Sequence, residues 1–261
     1  MIPARWRLGG WVLAGMMVLA GCATLPPPRE PGQPVSHLQR DEIVARLQDR
    51  EGQIRSLRGI AAVEVTVHQE SWRFREAVAL HSDGRFRLET LGAFGLPTLV
   101  IVSDGRRVVA YDPRDPGGTS PDGCELLNRL LGLELPPGVF VRLLAGLPPR
   151  PVLPSPFVSY IPERRAYLVE GEEANVLQRL YVDPSGALLG GEFWGGRHGL
   201  VFAFSAAREV QGIPFPMDVR LTHARRPRSI VVSYQDVDLN PILADRLFVL
   251  PPSIPVTDTG C

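Results

Sequence analysis

Hydrophobic and polar residues repeat with two different periods along the chain. After Ser36 the apolar residues recur at helical spacing up to Leu57, and Gln39 follows Ser36 at the distance of a capping box. We therefore predict an amphipathic helix that begins at Ser36. Beyond Arg58 apolar and polar residues alternate, which is the period of a strand. The alternating segments are residues 63–67, 72–80, 86–88, 98–103, 107–111, 165–170, 176–182, 188–194, 201–208, 217–221 and 229–237.

A different pattern interrupts the strands in the middle of the chain. Residues 124–131 and 137–144 carry apolar side chains at helical spacing, and Gly132 and Gly146 follow them as stop signals. Short connections such as Asp83-Gly84 separate the alternating segments, which is typical of antiparallel hairpins. We predict a mainly β protein with some α structure. A single curved antiparallel sheet forms an unclosed half-barrel of about ten strands, with an N-terminal helix and short lid helices against its concave side.

Charge and residue types exclude several classes of function. The chain has 261 residues with 28 basic and 28 acidic side chains, and every basic residue is an arginine. The lack of lysine excludes a P-loop lysine and a Schiff-base lysine, and the balanced charge argues against a nucleic-acid partner. The histidines are isolated in sequence, although His68 and His81 flank a predicted hairpin and could approach each other. We predict no enzymatic activity, no catalytic residue, no metal and no cofactor.

The first 22 residues predict export and lipidation. Arginines precede a short apolar run at residues 8–20, which is too short to span a bilayer as a helix. The run ends in Leu-Ala-Gly-Cys at residues 19–22, which resembles the lipobox of bacterial lipoproteins. This resemblance implies cleavage before Cys22 and acylation of that residue; the alternative is an ordinary cleaved signal with a chance cysteine. In lipoproteins an aspartate after the cysteine favours the inner membrane, so Ala23 implies the outer membrane.

Two further cysteines leave two interpretations open. In an oxidising compartment Cys124 and Cys261 could form a disulfide that holds the C-terminal tail on the first lid helix. The other interpretation is a buried free thiol at Cys124 and a frayed terminal Cys261. The sequence favours neither.

Several short segments resemble the LolA/LolB superfamily of periplasmic lipoprotein carriers and outer-membrane acceptors, and most of all its lipoprotein branch, LolB. The matching segments are residues 56–59 (Ser-Leu-Arg-Gly), 85–89 (Arg-Phe-Arg-Leu-Glu), 130–136, 143–148, 212–217 (Gly-Ile-Pro-Phe-Pro-Met) and 234–237 (Tyr-Gln-Asp-Val). The resemblance implies an unclosed β-barrel with a helical lid around an apolar cavity for acyl chains. The proline-rich loop at residues 111–123 and the long tail depart from the LolB pattern.

Four parts follow from these features. Residues 1–21 are the signal peptide, and residues 22–35 are the lipidated cysteine with a proline-rich tether that reaches about 35 Å when extended. Residues 36–252 are the LolB-like lipid-binding domain, and residues 253–261 are a flexible tail.

The loop at residues 91–97 is a candidate contact with membrane or cargo. It carries Leu91, Phe94 and Leu96 between two predicted strands, where a polar turn is usual. Either Phe94 tucks under the sheet edge, or the loop protrudes as an apolar finger, as the resemblance implies. Large apolar residues on the predicted strands line the cavity or fill a core; they are Trp72, Phe74, Phe86, Leu88, Phe202 and Phe204.

Two functions compete on this basis. The first is a lipid-anchored outer-membrane protein, facing the periplasm, that binds acyl chains of lipoproteins in an apolar cavity and aids their insertion into the membrane. Its expected partners are membrane lipid, lipoprotein acyl chains and a periplasmic LolA-like carrier, and the protein is expected to be a monomer. The second is a structural lipoprotein that uses the same fold as a scaffold for envelope assembly. An acyl-sized cavity distinguishes the two, because only the first requires it.

Overall fold

One antiparallel sheet organises the protein. The computed structural model describes residues 26–115, 128, 135–153, 155–195 and 198–250. Within them thirteen strands pair in the order β1-β7-β8-β9-β10-β11-β12-β13-β2-β3-β4-β5-β6. The two edge strands, β1 and β6, do not pair with each other, so the predicted unclosed half-barrel is confirmed.

The helices and strands follow the predicted order. The helices are α1 (His37–Gln53) and α2 (Pro137–Leu144). The strands are β1 (Gln33–Pro34), β2 (Ser56–Val67), β3 (Glu70–His81), β4 (Arg85–Leu91), β5 (Pro97–Asp104), β6 (Val108–Tyr111), β7 (Phe157–Ile161), β8 (Ala166–Glu173), β9 (Val176–Val182), β10 (Leu188–Gly195), β11 (His198–Val210), β12 (Ile213–His223) and β13 (Arg228–Leu239).

Helix α1 begins where the capping box predicts. The Ser36 hydroxyl accepts from the Gln39 backbone N–H at 3.2 Å, and the Gln39 side chain accepts from the Ser36 N–H at 3.1 Å. The helix buries Ile43, Val44 and Leu47 in the main core. The middle of the predicted stripe therefore faces the sheet, whereas Leu38 is 83% exposed and Leu57 belongs to β2, because the helix ends at Gln53.

Helix α2 is the second of the two predicted lid helices. It buries six of its eight residues, and Phe140 packs against Phe86 of β4 with ring centroids 5.3 Å apart. The backbone carbonyl of Leu144 accepts a hydrogen bond from the buried Tyr234 hydroxyl of β13 at 2.9 Å. These contacts hold α2 on the concave face. The other predicted helix, residues 124–131, lies outside the described residues except for Asn128, which is helical.

Strands β1 and β7 are additional to the predicted set. Gln33 and Pro34 pair with Tyr160 and Ser159 of β7 and so extend the sheet by one short edge strand. Proline is tolerated there because an edge strand leaves one side of its backbone unpaired. Gly32 is required beside it, since a Cβ at this position would lie 2.4 Å from the Ser159 hydroxyl.

The described part of the predicted tether lies on the sheet. Arg29 pairs with Glu170 and stacks over the Phe157 ring at 3.9 Å, and the Pro27 carbonyl accepts from Arg179 at 2.7 Å. Glu30 forms a further ion pair with Arg164 at the end of β7. Residues 26–35 are therefore docked by charge pairs and do not supply the free 35 Å reach that proline content predicts.

The C-terminal segment covers part of the opposite face. A 3₁₀ turn, Asp245–Phe248, places the buried Phe248 ring against β4, where Arg85 lies 5.0 Å from the ring centroid. Val100 and Val102 form a small separate cluster there with Val109. The convex side of β4–β6 is thus also protected from water.

The Tyr234 hydroxyl provides a test of how α2 is held. Tyr234→Phe removes the donor to the Leu144 carbonyl, and we expect unfolding to become easier by about 1 kcal/mol. Urea denaturation measures the change. Tyr160→Phe is the control, because the Tyr160 hydroxyl has no hydrogen-bond partner among the described residues. Equal stability of the two variants would contradict the role assigned to this bond.

Candidate functional site

A cavity lies between α2 and the concave face of the sheet. Its volume is about 390 Å³, which is within the usual range of small-molecule sites. Strands β2, β3, β4, β5 and β13 form its wall, and α2 closes one side. The lining residues are Val63, Val65, Phe74, Glu76, Val78, Leu88, Thr90, Thr98, Leu99, Ile101, Phe140, Leu144, Ile230 and Val232. The wall is almost entirely apolar, so the cavity suits a hydrocarbon chain.

The predicted cavity residues occupy three kinds of position. Phe74 and Leu88 line the cavity. Phe86, Phe202 and Phe204 are buried in the main core. Trp72 lies two residues from Phe74 on the same face of β3, is 44% exposed and is absent from the wall. Phe74 and Leu88 therefore have the position of cavity-lining residues, whereas Phe86, Phe202 and Phe204 have that of core residues.

A polar patch interrupts the apolar wall. The Thr90 hydroxyl donates to Glu76 Oε1 at 2.6 Å, and the Thr98 hydroxyl donates to the Thr90 carbonyl at 3.2 Å. Glu76 is 9% exposed and directly opposes Thr90 in the β3–β4 ladder. Sequence reasoning missed Glu76. The signal was available, because Glu76 occupies the same phase of the alternation as Phe74 and Val78.

Burial dominates the acid–base behaviour of Glu76. The pKa of its carboxyl is raised to about 7, mainly because burial removes water; the Thr90 hydrogen bond opposes this rise and the nearby charge of Glu89 adds to it. Among the described residues, no arginine pairs with Glu76. The cavity therefore holds one carboxyl that is partly neutral near pH 7.

The predicted contact loop joins β4 to β5 beside this patch. The loop closes through a hydrogen bond from the Gly92 N–H to the Leu96 carbonyl at 2.8 Å. Phe94 is fully exposed and Leu96 is 67% exposed, whereas Leu91 is half-buried. Phe94 therefore does not tuck under the sheet edge.

The backbone of this loop is strained at Phe94. Its φ of 62° lies in the left-handed region, which costs a non-glycine residue on the order of 1–2 kcal/mol. A fully exposed phenyl ring gains no packing in return. The fold thus holds an aromatic side chain outward at a measurable cost.

A second cavity of about 410 Å³ lies over β8 and β9. Residues 150–153 and 156 cover it, and charged Arg150 and Glu173 form part of the wall with Gln178. Gln178 is engaged with the Arg150 backbone through two hydrogen bonds. This cavity is therefore more polar than the one beneath α2 and fits an acyl chain less well.

The histidines do not form a site. His68 lies in the turn after β2, whereas His81 ends the twelve-residue strand β3. Because a strand rises about 3.3 Å per residue, the two lie at opposite ends of the β2–β3 hairpin, and the predicted approach is wrong. The described residues contain no group of three potential metal ligands.

The cysteines predicted for lipidation and for a disulfide lie outside the described residues. They are Cys22, Cys124 and Cys261.

No described helix has both the length and the apolar character needed to cross a membrane.

Comparison with known proteins identifies the architecture. No family model matches the chain, and no curated protein matches it in sequence. A crystal structure of a LolA superfamily protein from Nitrosomonas europaea is similar in fold, with 14% identity, a TM-score of 0.52, and coverage of 80% of this chain and 96% of that chain. An outer-membrane lipoprotein-sorting protein domain from Vibrio parahaemolyticus has 11% identity, a TM-score of 0.50, and coverage of 78% and 95%.

The fold of this chain is therefore similar to that of these two structures, which cover 80% and 78% of it, in agreement with the predicted half-barrel. At these identities the likeness concerns the fold. Any role for the cavity and the loop is therefore argued from the residues of this chain.

The carboxyl of Glu76 makes stability depend on pH. Its pKa is about 7 in the folded protein against 4.5 for the free group, so the folded state holds a proton that the unfolded state loses. The stability of the wild-type protein should therefore fall between about pH 4.5 and 7. Glu76→Gln should not show this fall, and its stability relative to wild type should rise by up to about 3 kcal/mol across the window.

Urea denaturation at pH 5, 6.5 and 8 measures this difference. Glu70→Gln, an exposed acid at the start of the same strand, is the control and should follow the wild type. Parallel profiles for Glu76→Gln and the wild type would show that water reaches the Glu76 carboxyl freely.

Proposed function

We propose that this chain is a lipid-anchored envelope protein of LolB-like function, which holds acyl chains of lipoproteins in the cavity beneath α2 and aids their insertion into the outer membrane. The observation that carries the proposal is a hydrocarbon-lined cavity of about 390 Å³ beside an exposed apolar loop. Binding and delivery then take place at the same end of the molecule.

The cavity supports acyl binding through its lining. Valine, leucine, isoleucine and phenylalanine side chains form nearly all of the wall. Burial of apolar surface stabilises a bound chain by roughly 0.8 kcal/mol for each methylene group, so about ten buried methylenes correspond to micromolar affinity before the entropic cost of binding. A packed core, which the scaffold function would allow, leaves no such space.

The loop supports contact with a membrane. Phe94 and Leu96 together present two large apolar side chains to solvent. Insertion of each into the lipid interface would contribute roughly 1.5–3 kcal/mol. This is enough for transient docking of a protein that is already held near the surface.

The anchor is assigned to Cys22. Several acyl chains on one residue hold a protein stably to a bilayer, whereas one chain is only marginal. A periplasmic LolA-like carrier is the proposed donor of cargo, since an outer-membrane acceptor needs a soluble carrier across the periplasm. The protein acts by binding, without catalysis.

Filling the cavity should weaken binding. A chain of residues 23–261 retains every contact described above, and we expect it to bind a neutral fluorescent acyl probe saturably. Val63→Trp places an indole in the cavity wall and should weaken binding at least about ten-fold, because the probe and the indole compete for one space. Fluorescence titration measures the affinity.

Val201→Trp is the matched control. Val201 is exposed on β11 and opposes Glu192 on the other face of the sheet, so this variant should bind like the wild type. If the folded wild-type chain binds no probe, the scaffold function replaces the proposal.

Negative charges on the loop should weaken membrane contact and leave the thermal stability nearly unchanged. Phe94→Glu with Leu96→Glu should leave the melting temperature within a few degrees, since the two side chains pack against little, while liposome binding and lipoprotein transfer weaken. Ile242→Glu with Val249→Glu is the matched control, because these side chains are 100% and 62% exposed. Liposome flotation and differential scanning calorimetry measure the two effects.

The control pair tests whether position matters. If both pairs weaken liposome binding equally, general charge repulsion explains the result. A large loss of stability in the Phe94–Leu96 variant would show that the loop belongs to the core.

A further inference from the structure

Glu76 is an unusual member of the cavity wall. It is the only ionisable side chain among the described lining residues. Its neighbours on the same face of β3 are Phe74 and Val78. Burial of a carboxyl in an apolar wall opposes folding unless the group is paired. Glu76 has one hydrogen-bond partner among the described residues, the Thr90 hydroxyl.

The surroundings of Glu76 leave one carboxyl oxygen free to accept. Thr90 donates to Oε1, and no other hydrogen bond reaches the carboxyl from the described residues. Ala61 faces it from β2, and Phe140 and Leu144 contribute to the same wall from α2. No described protein group therefore donates a hydrogen bond to Oε2, which is left for a donor on a ligand.

The position of the Glu76 carboxyl along the cavity indicates which part of a bound ligand lies next to it. Thr90 and Thr98 flank the loop at residues 91–97, and Glu76 opposes Thr90 in the ladder. The polar patch therefore lies at the loop end of the cavity, whereas Leu144 approaches from α2. A chain that enters tail first beside the loop leaves its polar end at this patch.

We propose that Glu76 determines ligand specificity by accepting a hydrogen bond from an N–H group at the root of the bound acyl chain. The cavity then takes acyl amides and alkylamines in preference to free fatty acids and esters. This proposal rests on the proposed acyl-binding function.

The chemistry of a carboxyl accounts for the preference. An ionised carboxylate accepts hydrogen bonds and cannot donate, so it pairs with an N–H and repels another carboxylate. The repulsion is strong in an apolar cavity because little water screens it. An ester of equal chain length has no donor and leaves Oε2 unpaired.

Four twelve-carbon ligands separate these cases. Dodecylamine has a charged N–H donor, N-methyldodecanamide a neutral one, methyl dodecanoate none, and dodecanoic acid is an anion. Each competes at pH 8 with a neutral fluorescent acyl probe on the chain of residues 23–261. We expect the amide and the amine to displace the probe at concentrations about ten-fold or more below those of the ester and the acid.

Variants at one position test the assignment. Glu76→Leu removes the acceptor, so the neutral amide and the neutral ester should become nearly equal while the affinity of the ester is retained, and the charged amine should lose its advantage. Glu76→Gln keeps a neutral acceptor and should preserve a preference for the amide over the ester while losing most of the preference for the amine. Glu70→Gln, an exposed acid on the same strand, is the control for negative charge in general and should match the wild type.

The outcomes distinguish the two proposals. In the first outcome, the wild type binds the probe and yet releases it equally to all four ligands. That result overturns the role of Glu76 and leaves acyl binding intact. A preference that survives Glu76→Leu places the acceptor elsewhere and also overturns it. Failure of the folded wild type to bind the neutral probe overturns acyl binding itself.

Discussion

The structure depends on an antiparallel sheet that does not close. Its concave face is apolar and needs cover, yet α1 and α2 have only 17 and 8 residues. At 1.5 Å per residue these helices are about 25 and 12 Å long, whereas neighbouring strands lie about 4.8 Å apart. Helix α2 therefore covers two or three strands. Among the described residues, the cavity is the part of the concave face that neither helix fills.

The same geometry explains how far the sequence predicts the site. Period-two alternation assigns Phe74, Phe86 and Leu88 to apolar faces of their strands. The structure buries Phe86 and half-buries Leu88, whereas Phe74 is 39% exposed. Whether such a residue faces a cavity or another side chain depends on where α2 lies. Phe86 meets the Phe140 ring, whereas Phe74 and Leu88 meet open space. That difference arises from tertiary packing, which a strand pattern does not contain.

The edge of the sheet was harder to predict for a different reason. Residues 26–35 have no apolar periodicity, and their proline content is typical of an extended tether. Their docking comes from backbone pairing with β7 and from charges such as Arg29 and Glu30, whose partners lie more than a hundred residues away. Glu170 and Arg179 are buried beneath them and need opposite charges there. Long-range charge pairing therefore decides the position of a segment that local sequence describes as free.

The two costly features of the molecule occur at one end of the cavity. Phe94 is exposed in a left-handed conformation, and Glu76 is buried with a single hydrogen-bond partner. Neither arrangement stabilises the free protein, and the loop that carries Phe94 begins one residue after Thr90, the partner of Glu76. A ligand that inserts its chain into the cavity and leaves its polar root at the loop would satisfy the carboxyl, while a membrane would cover the phenyl ring. If the proposed function holds, the bound state compensates both the strain at Phe94 and the carboxyl oxygen of Glu76 that no described protein group pairs.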